Sequence, residues 1–303
     1  MKNPMTKPAI LVFAYHDVGY ECLDALIQND EYILAVITHR DDPEEEIWFR
    51  SVENLAKKYD IPVHKPESVN TPDWIERIRS WAPDLILSFY YRNMIHEEIL
   101  KIPRLGAFNM HGSLLPKYRG RAPINWAIIQ GERSTGVTLH HMVKQADAGD
   151  IVDQETVPIG HDDTAREVFS KCVAAARIVL GRQIKALTTG TAPRRSQDAS
   201  QATYFGGRKP EDGRIDWTQS AELIYNLVRA VTNPYPGAFT NVNGKKLFIW
   251  WATPLPGADG TPGQVMSVDP LRVATGKGSL EVVNYEWEDE DEGELNVGQI
   301  MGQ

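Results

Sequence analysis

The chain has few cysteines: Cys22 and Cys172 are the two among 303 residues. Each falls inside an amphipathic helical pattern, which fits a reduced core thiol better than a disulfide or a zinc site, and no metal is expected. Long apolar runs are missing as well, so no segment is read as crossing a bilayer. The opening, MKNPMTKPAILVFAYHD, has one short apolar run with His16 and Asp17 directly behind it and no small-residue cleavage site. No export signal is read there, and a cytoplasmic location is expected. Positive charge is in short supply, with 32 Lys and Arg against 41 Asp and Glu, a net charge of −9. Such a balance repels nucleic acid and anionic lipid unless a local basic patch overrides it. Glycine is scarce at one telling place. The first strand-to-helix turn, AYHDVGYECL, carries only Gly19, where a dinucleotide pyrophosphate needs a glycine-rich loop, so a nicotinamide-dependent dehydrogenase is disfavoured.

What is present reads as an ordinary globular chain, 42% apolar and 24% charged, of a length that suits two domains. Apolar runs at 10–14, 33–38, 85–89 and 106–110 predict buried strands. Helical spacing follows each: Cys22, Leu23, Leu26 and Ile27 behind the first, then 49–59, then Trp74, Ile75, Ile78 and Trp81, then 94–102 and 124–130. Thr71 is expected to cap the helix that Pro72 opens. Strand and helix alternate, which predicts an α/β fold with a Rossmann-like, doubly wound, mostly parallel sheet. Residues 137–142 alternate between apolar and polar and predict a more exposed strand, with 151–157 as its return partner after the turn 144–150. Thr164 and Glu167 form a capping box for a helix that ends near Gly190.

A first domain is therefore expected over 1–190. Residues 191–210, poor in aliphatics and rich in Arg, Ser, Gln and Gly, read as an extended linker. Over 211–303 a Ser220-capped helix precedes short strands, with a hairpin at Asn243-Gly244, and predicts a small OB-like β-barrel domain. The acidic run Glu286 to Glu294 reads as a solvated loop.

The densest chemistry lies in GAFNMHGSLLPKYRGRAP, from Gly106 to Pro123. Side chains alternate along a strand, so Asn109 and His111 share one face, and the irregular loop behind them carries Lys117, Arg119 and Arg121. A lone histidine is more often a satisfied core group. The crowd of polar groups directly behind an apolar strand makes this one a candidate for function.

Asn109-x-His111-x-Ser113-Leu-Leu-Pro, taken with Asp147, resembles the 10-formyltetrahydrofolate-dependent formyltransferases. That resemblance implies catalytic roles for Asn109, His111 and Asp147, and formyl transfer independently requires such groups. Hydrogen-bond donors would stabilise the developing oxyanion, an imidazolium would protonate the departing folate nitrogen, and a carboxylate would orient that ring. The resemblance also implies 10-formyltetrahydrofolate as cosubstrate, its pocket lined by Asn93, Met94, Ile95 and Arg121 with Val143, Lys144, Gln145, Ala146 and Asp147, mostly through backbone groups. Lys117, Arg119, Arg208 and Arg229 are the candidates for a substrate diphosphate, alongside Arg121, because guanidinium groups match phosphate oxygens. His16, Tyr90 and Tyr91 sit at strand ends facing the expected crevice.

Five stretches narrow the resemblance: Phe13-Ala-Tyr-His-Asp17, Ser88-Phe-Tyr-Tyr-Arg92, HGSLLPKYRGRAP, Val228-Arg-Ala230 and Pro236-Gly-Ala-Phe239. They are similar to the formyltransferase domain of the bifunctional polymyxin-resistance protein, which formylates UDP-4-amino-4-deoxy-L-arabinose for lipid A modification. The likeness implies a nucleotide amino-sugar substrate, no nucleic-acid or membrane partner, and fusion to a C-terminal decarboxylase domain. Methionyl-tRNA formyltransferase is the alternative within the family. Six Lys and Arg against fourteen Asp and Glu after residue 210 oppose it, since a tRNA-holding surface should be positive.

Overall fold

The computed structural model of the protein describes residues 7–43, 46–257, 260–288 and 293–302. Among these the strands are β1 (Ile10–Ala14), β2 (Ile33–Ile37), β3 (Val63–His64), β4 (Leu85–Phe89), β5 (Ala107–His111), β6 (Arg119–Gly120), β7 (Ser134–His141), β8 (Ile151–Pro158), β9 (Tyr204–Phe205), β10 (Ala238–Val242), β11 (Lys245–Leu255), β12 (Val265–Val268), β13 (Leu271–Ala274) and β14 (Ser279–Trp287). The helices are α1 (His16–Gln28), α2 (Val52–Lys58), α3 (Pro72–Trp81), α4 (Glu97–Leu100), α5 (Pro123–Ile129), α6 (Ala165–Thr189) and α7 (Ala221–Val231). They divide into two compact units that interleave along the chain. The first takes Met1–Gly120, Thr135–Val157 and Ser170–Phe205, and the second Arg121–Ser134, Pro158–Phe169 and Gly206–Gln303. Of the stretch 191–210, the residues up to Phe205 belong to the first unit and include a short 3-10 turn at Ala199–Gln201.

The first unit is built on a seven-stranded sheet in the order β3-β2-β1-β4-β5-β7-β8. The five strands from β3 to β5 pair in parallel, and β7 runs antiparallel to β5. All five residues of β1 and of β4 are buried, as expected of strands covered on both faces. Leu11, Phe13, Ile37 and Ile86 pack with Ile78 of α3 and Ile99 of α4 in one core. Each such side chain contributes about 1.5–3 kcal/mol when fully buried. Gly19 lets α1 close on β1, because a Cβ there would stand 3.1 Å from that of Ala14. Cys22 and Cys172 are free and buried, and burial pushes the Cys172 thiol up to about 12. Among the described residues no helix is long and apolar enough to cross a membrane.

Three local expectations change. The alternating strand β7 is buried from Thr135 to His141, because Thr138 and the two histidines find partners inside: Thr138 Oγ1, for example, donates to Ser113 O at 2.6 Å and accepts from Leu115 N at 3.0 Å. The helix expected over 94–102 shrinks to α4, since the Asn70 amide takes up the backbone just before it, donating to Met94 O at 2.8 Å and accepting from His96 N at 2.9 Å. Thr71 precedes α3 but makes no side-chain cap bond.

The second unit contains a five-stranded antiparallel sheet, in the order β10-β11-β14-β13-β12. Asn243 and Gly244 join β10 to β11 with φ of 51° and 80°, the left-handed pair that a two-residue hairpin requires. Helix α7 is capped by Ser220, whose hydroxyl accepts from Leu223 N at 3.3 Å, and α5 is pinned to it by Asn125 Nδ2 donating to Ala230 O at 2.8 Å. Part of the acidic run from Glu286 to Glu294 lies outside the described residues.

The two caps separate experimentally. Ser220→Ala should cost about 1 kcal/mol in urea unfolding, whereas Thr71→Ala, which removes no cap bond, should change stability by only a few tenths of that. Equal losses at both positions would contradict the assignment.

Candidate active site

Antiparallel pairing sets His140 of β7 directly opposite Asn109 of β5, and Thr138 opposite His111. Direct partners share a face, so an amide and two imidazoles meet on one side of the sheet. Asn109 Nδ2 stands 3.2 Å from His140 Nε2. The turn after β7 folds back over this face. Asp147, held there at φ 54°, brings its Oδ1 to 3.5 Å from His111 Nδ1 and 3.5 Å from His140 Nε2. Its Oδ2 accepts the Gly120 N–H at 2.9 Å.

Backbone carbonyls fix where the ring hydrogens sit. His111 Nε2 is 2.8 Å from Tyr118 O, and His140 Nδ1 is 2.9 Å from His141 O. A carbonyl only accepts, so both of these nitrogens carry hydrogen, and the second nitrogen of each ring faces Asp147. On His140 that nitrogen lies between the Asn109 amide, 3.2 Å away, and the Asp147 carboxylate, 3.5 Å away. His111 Nδ1 has no such donor, so a hydrogen placed there points at the Asp147 carboxylate. Burial alone would push the Asp147 carboxyl up; the His111 and His140 imidazoles and the Gly120 N–H outweigh it and hold the group well below the usual carboxylate range. Ser113 is fully buried and donates from Oγ to Lys117 O at 2.7 Å, fastening the loop.

The loops around this cluster present what a flat, polar-edged ligand needs. Met94 and Val143 are exposed apolar side chains, Asn93, Lys144, Gln145 and Ala146 are exposed beside them, and Ile95 turns into the core instead. After Lys101, the Lys144 ammonium also helps hold the Glu97 carboxyl low, which places the 143–147 turn near the start of α4. At the carboxyl ends of β1 and β4 stand His16, Tyr90 and Tyr91. The His16 ring stacks on Phe49 at 3.9 Å and Tyr91 on His39 at 4.3 Å. A small, shallow cleft opens nearby, lined by Tyr15, His39, Asp41, Phe49, Arg50 and Lys65. Burial, with Arg92 adding to it, lowers the His39 imidazole to about 4, so it is neutral and accepts the Arg92 N–H at 3.0 Å.

The candidate cations scatter. Lys117 is exposed, but Arg119 is 4% exposed, its Nε and Nη2 donating to Gln197 Oε1 at 3.1 and 2.6 Å and its Nη1 to the Tyr204 hydroxyl. Arg121, Arg208 and Arg229 fall in the second unit. Arg208 lies over the Trp126 ring at 4.8 Å and donates to Asp212 O at 2.8 Å. Arg229 is 5% exposed and faces inward, bonded to Asn226 Oδ1 at 2.8 and 3.0 Å and to Asp163 O at 2.8 Å. Burial and these bonds remove Arg119 and Arg229 from the groups a diphosphate can reach. Sequence reasoning missed His140 and the Gly120 N–H; a histidine at 140 was visible, but its placement opposite Asn109 depends on register.

The family described as formyl transferase matches residues 6–184, and the formyl transferase C-terminal domain matches residues 208–296. The chain belongs to the formyl transferase family, and it is a formyltransferase. Among solved structures it is similar to WlaRD, a sugar 3N-formyl transferase crystallised in the presence of dTDP and 5-N-formyl-THF, at 19% identity and TM-score 0.67, over 95% of this chain and 99% of that one. It is similar to the N-formyltransferase from Helicobacter canadensis in complex with folinic acid and dTDP-3-aminofucose, at 19% identity and TM-score 0.65, over 97% and 100%. It also matches HypX from Aquifex aeolicus at 20% identity and TM-score 0.64, over 94% of this chain; this chain spans 45% of HypX. At these identities the likeness is one of fold.

A carboxyl held low in the folded state adds stability above its unfolded value of about 3.9 and loses it as the pH falls towards the folded value. Wild type should therefore exceed Asp147→Asn in unfolding free energy by a margin that is full above about pH 5 and shrinks on acidification below about pH 4. Urea melts across that window check the sign; a margin that grows with acid would reverse it.

Proposed function

We propose that the protein transfers the formyl group of 10-formyltetrahydrofolate to the amine of a nucleotide-linked amino-sugar, with UDP-4-amino-4-deoxy-L-arabinose as the substrate its sequence resembles most. The observation that carries this reading is the single-face cluster of Asn109, His111, His140 and Asp147. It offers an amide donor and a ring hydrogen beside one ionised carboxylate, in a site of low exposure. Attack of the amine builds negative charge on the formyl oxygen, and the Asn109 amide N–H is the neutral donor placed to meet it. The amine must lose a proton and the folate nitrogen must gain one. His111 Nδ1 is the ring position at which a proton can be held or released, with Asp147 favouring its presence. His140 holds the Asn109 amide in one orientation.

The structures of sugar formyltransferases bound to folate compounds and dTDP ligands support the substrate class. In this reading the 93–94 and 143–146 segments hold the folate, and the strand ends that carry His16, Tyr90 and Tyr91 face part of the nucleotide sugar. The products would serve lipid A modification and, with it, polymyxin resistance. Methionyl-tRNA is the substrate the charge opposes, given six basic against fourteen acidic residues after position 210.

A panel of UDP- and dTDP-linked amino-sugars, with initiator methionyl-tRNA as a further acceptor, assayed with 10-formyltetrahydrofolate, tests this. Turnover is expected on an amino-sugar, and turnover on the tRNA alone would overturn the reading. His111→Ala and Asp147→Ala should each lower kcat on the order of a hundred- to a thousand-fold, and the double variant should lose far less than the product of the two.

A further inference from the structure

The segment from Arg195 to Phe205 runs across the first unit as a strap, and it is fastened at both ends. Arg195 pairs with Ile151 by backbone bonds of 2.8 and 3.0 Å. Tyr204 and Phe205 form β9, which pairs with β6 at Arg119 and Gly120. Thr203 adds two more bonds, its carbonyl accepting from Arg119 N at 2.9 Å and its hydroxyl from Tyr118 N at 2.8 Å. Between these anchors lies Gln197. Its Nε2 donates to Asp147 O at 2.8 Å and to Gly149 O at 2.7 Å, while its Oε1 accepts the two Arg119 bonds.

We propose that Gln197 is a positioning residue for the active site: its amide clamps the Asp147 turn to Arg119 and thereby sets where the Asp147 carboxylate meets His111 and His140. The inference rests on the reading that Asp147 takes part in formyl transfer. Only one orientation of the amide works here, because a guanidinium only donates and backbone carbonyls only accept. The clamp acts on a backbone that needs holding. Asp147 is left-handed, a conformation that a non-glycine residue keeps only when its surroundings impose it.

Arg119 approaches the same residue twice. Its side chain reaches the Asp147 carbonyl through Gln197, and the next N–H along its strand, that of Gly120, bonds the Asp147 carboxylate. A second tie restrains the other side of the turn. Gln145 Nε2 donates to the Tyr204 hydroxyl at 2.9 Å, and that hydroxyl also receives Arg119 Nη1. Gln197 itself bonds to no group of the Asn109, His111 and His140 cluster, so its influence on the chemistry passes through Asp147.

Gln197→Met keeps the length and loses every polar bond; Gln197→Glu keeps an acceptor for Arg119 and removes both N–H donors. Each is compared with Asp147→Ala and with Gln197→Met in the Asp147→Ala background, using the amino-sugar acceptor that turns over best. A carbon-13 titration of the Asp147 carboxyl, which needs no substrate, runs beside the kinetics. Both Gln197 variants are expected to lower kcat on the order of 10- to 100-fold with KM little changed, the scale expected when a reacting group is misplaced by about 1 Å. The Asp147 titration should move up towards the ordinary carboxylate range, and the Asp147→Ala background should hide the effect of Gln197→Met to within about twofold.

A wild-type Asp147 titration with unchanged kcat in Gln197→Glu would overturn the clamp, as would an undiminished loss from Gln197→Met in the Asp147→Ala background. Should Gln197→Met fail to fold, Gln197→Glu decides by the same two readouts. Full activity in Asp147→Ala would instead bring down the reading of the site on which the clamp depends, an outcome distinct from inactive Asp147→Ala beside fully active Gln197 variants.

Discussion

A carboxylate with almost no water around it is the constraint on which the first unit turns. Asp147 has a side chain only 12% exposed, and an ion so placed is tolerated only when it is paired and hydrogen-bonded. Its partners come from three separate pieces of chain: His111 from the end of β5, His140 from β7, and the Gly120 N–H from β6. The register between β5 and β7 is what brings the two histidines to one face. Backbone carbonyls of Tyr118 and His141 then fix the orientation of the two rings.

Much of this arrangement is legible in the sequence, and the rest is hidden for identifiable reasons. Unbroken apolar runs such as Ile10–Ala14 and Leu85–Phe89 announce covered strands because both faces must be apolar. Asn243-Gly244 announces its hairpin because only such residues accept two left-handed conformations in succession. Asn109 and His111 share a face through the period of a strand, which is local. The neighbour of Asn109 across the sheet is not local: His140 lies opposite only by virtue of a register set by tertiary packing. The alternation in β7 misleads for a similar reason, since Thr138 and His140 are polar yet have partners in the interior.

Arginine shows the same limit from the other side. Arg119 and Arg229 read as diphosphate-binding cations in the sequence, yet each is almost entirely buried and held by neutral acceptors. Gln197 is 78 residues from the first, and Asp163 is 66 from the second. The planar guanidinium suits such sites because several donors can be satisfied without a carboxylate. In the second unit that choice lets Arg229 hold the 160–163 turn against α7, where Tyr225 also bonds Asp162 at 2.7 Å.

Gly120 has φ of 104°, and a Cβ on it would collide with the Phe205 carbonyl. The strap therefore lies directly on the backbone of β6, with no side chain between them. This bears on how the chain is cut when a smaller catalytic fragment is wanted. The end of α6 near Gly190 is the inviting boundary, since a long helix stops there and an aliphatic-poor stretch follows. A fragment truncated at that point would strip β6 of its strand partner and Arg119 of Gln197 and Tyr204, which cover and bond it, so the boundary for expression belongs beyond Phe205.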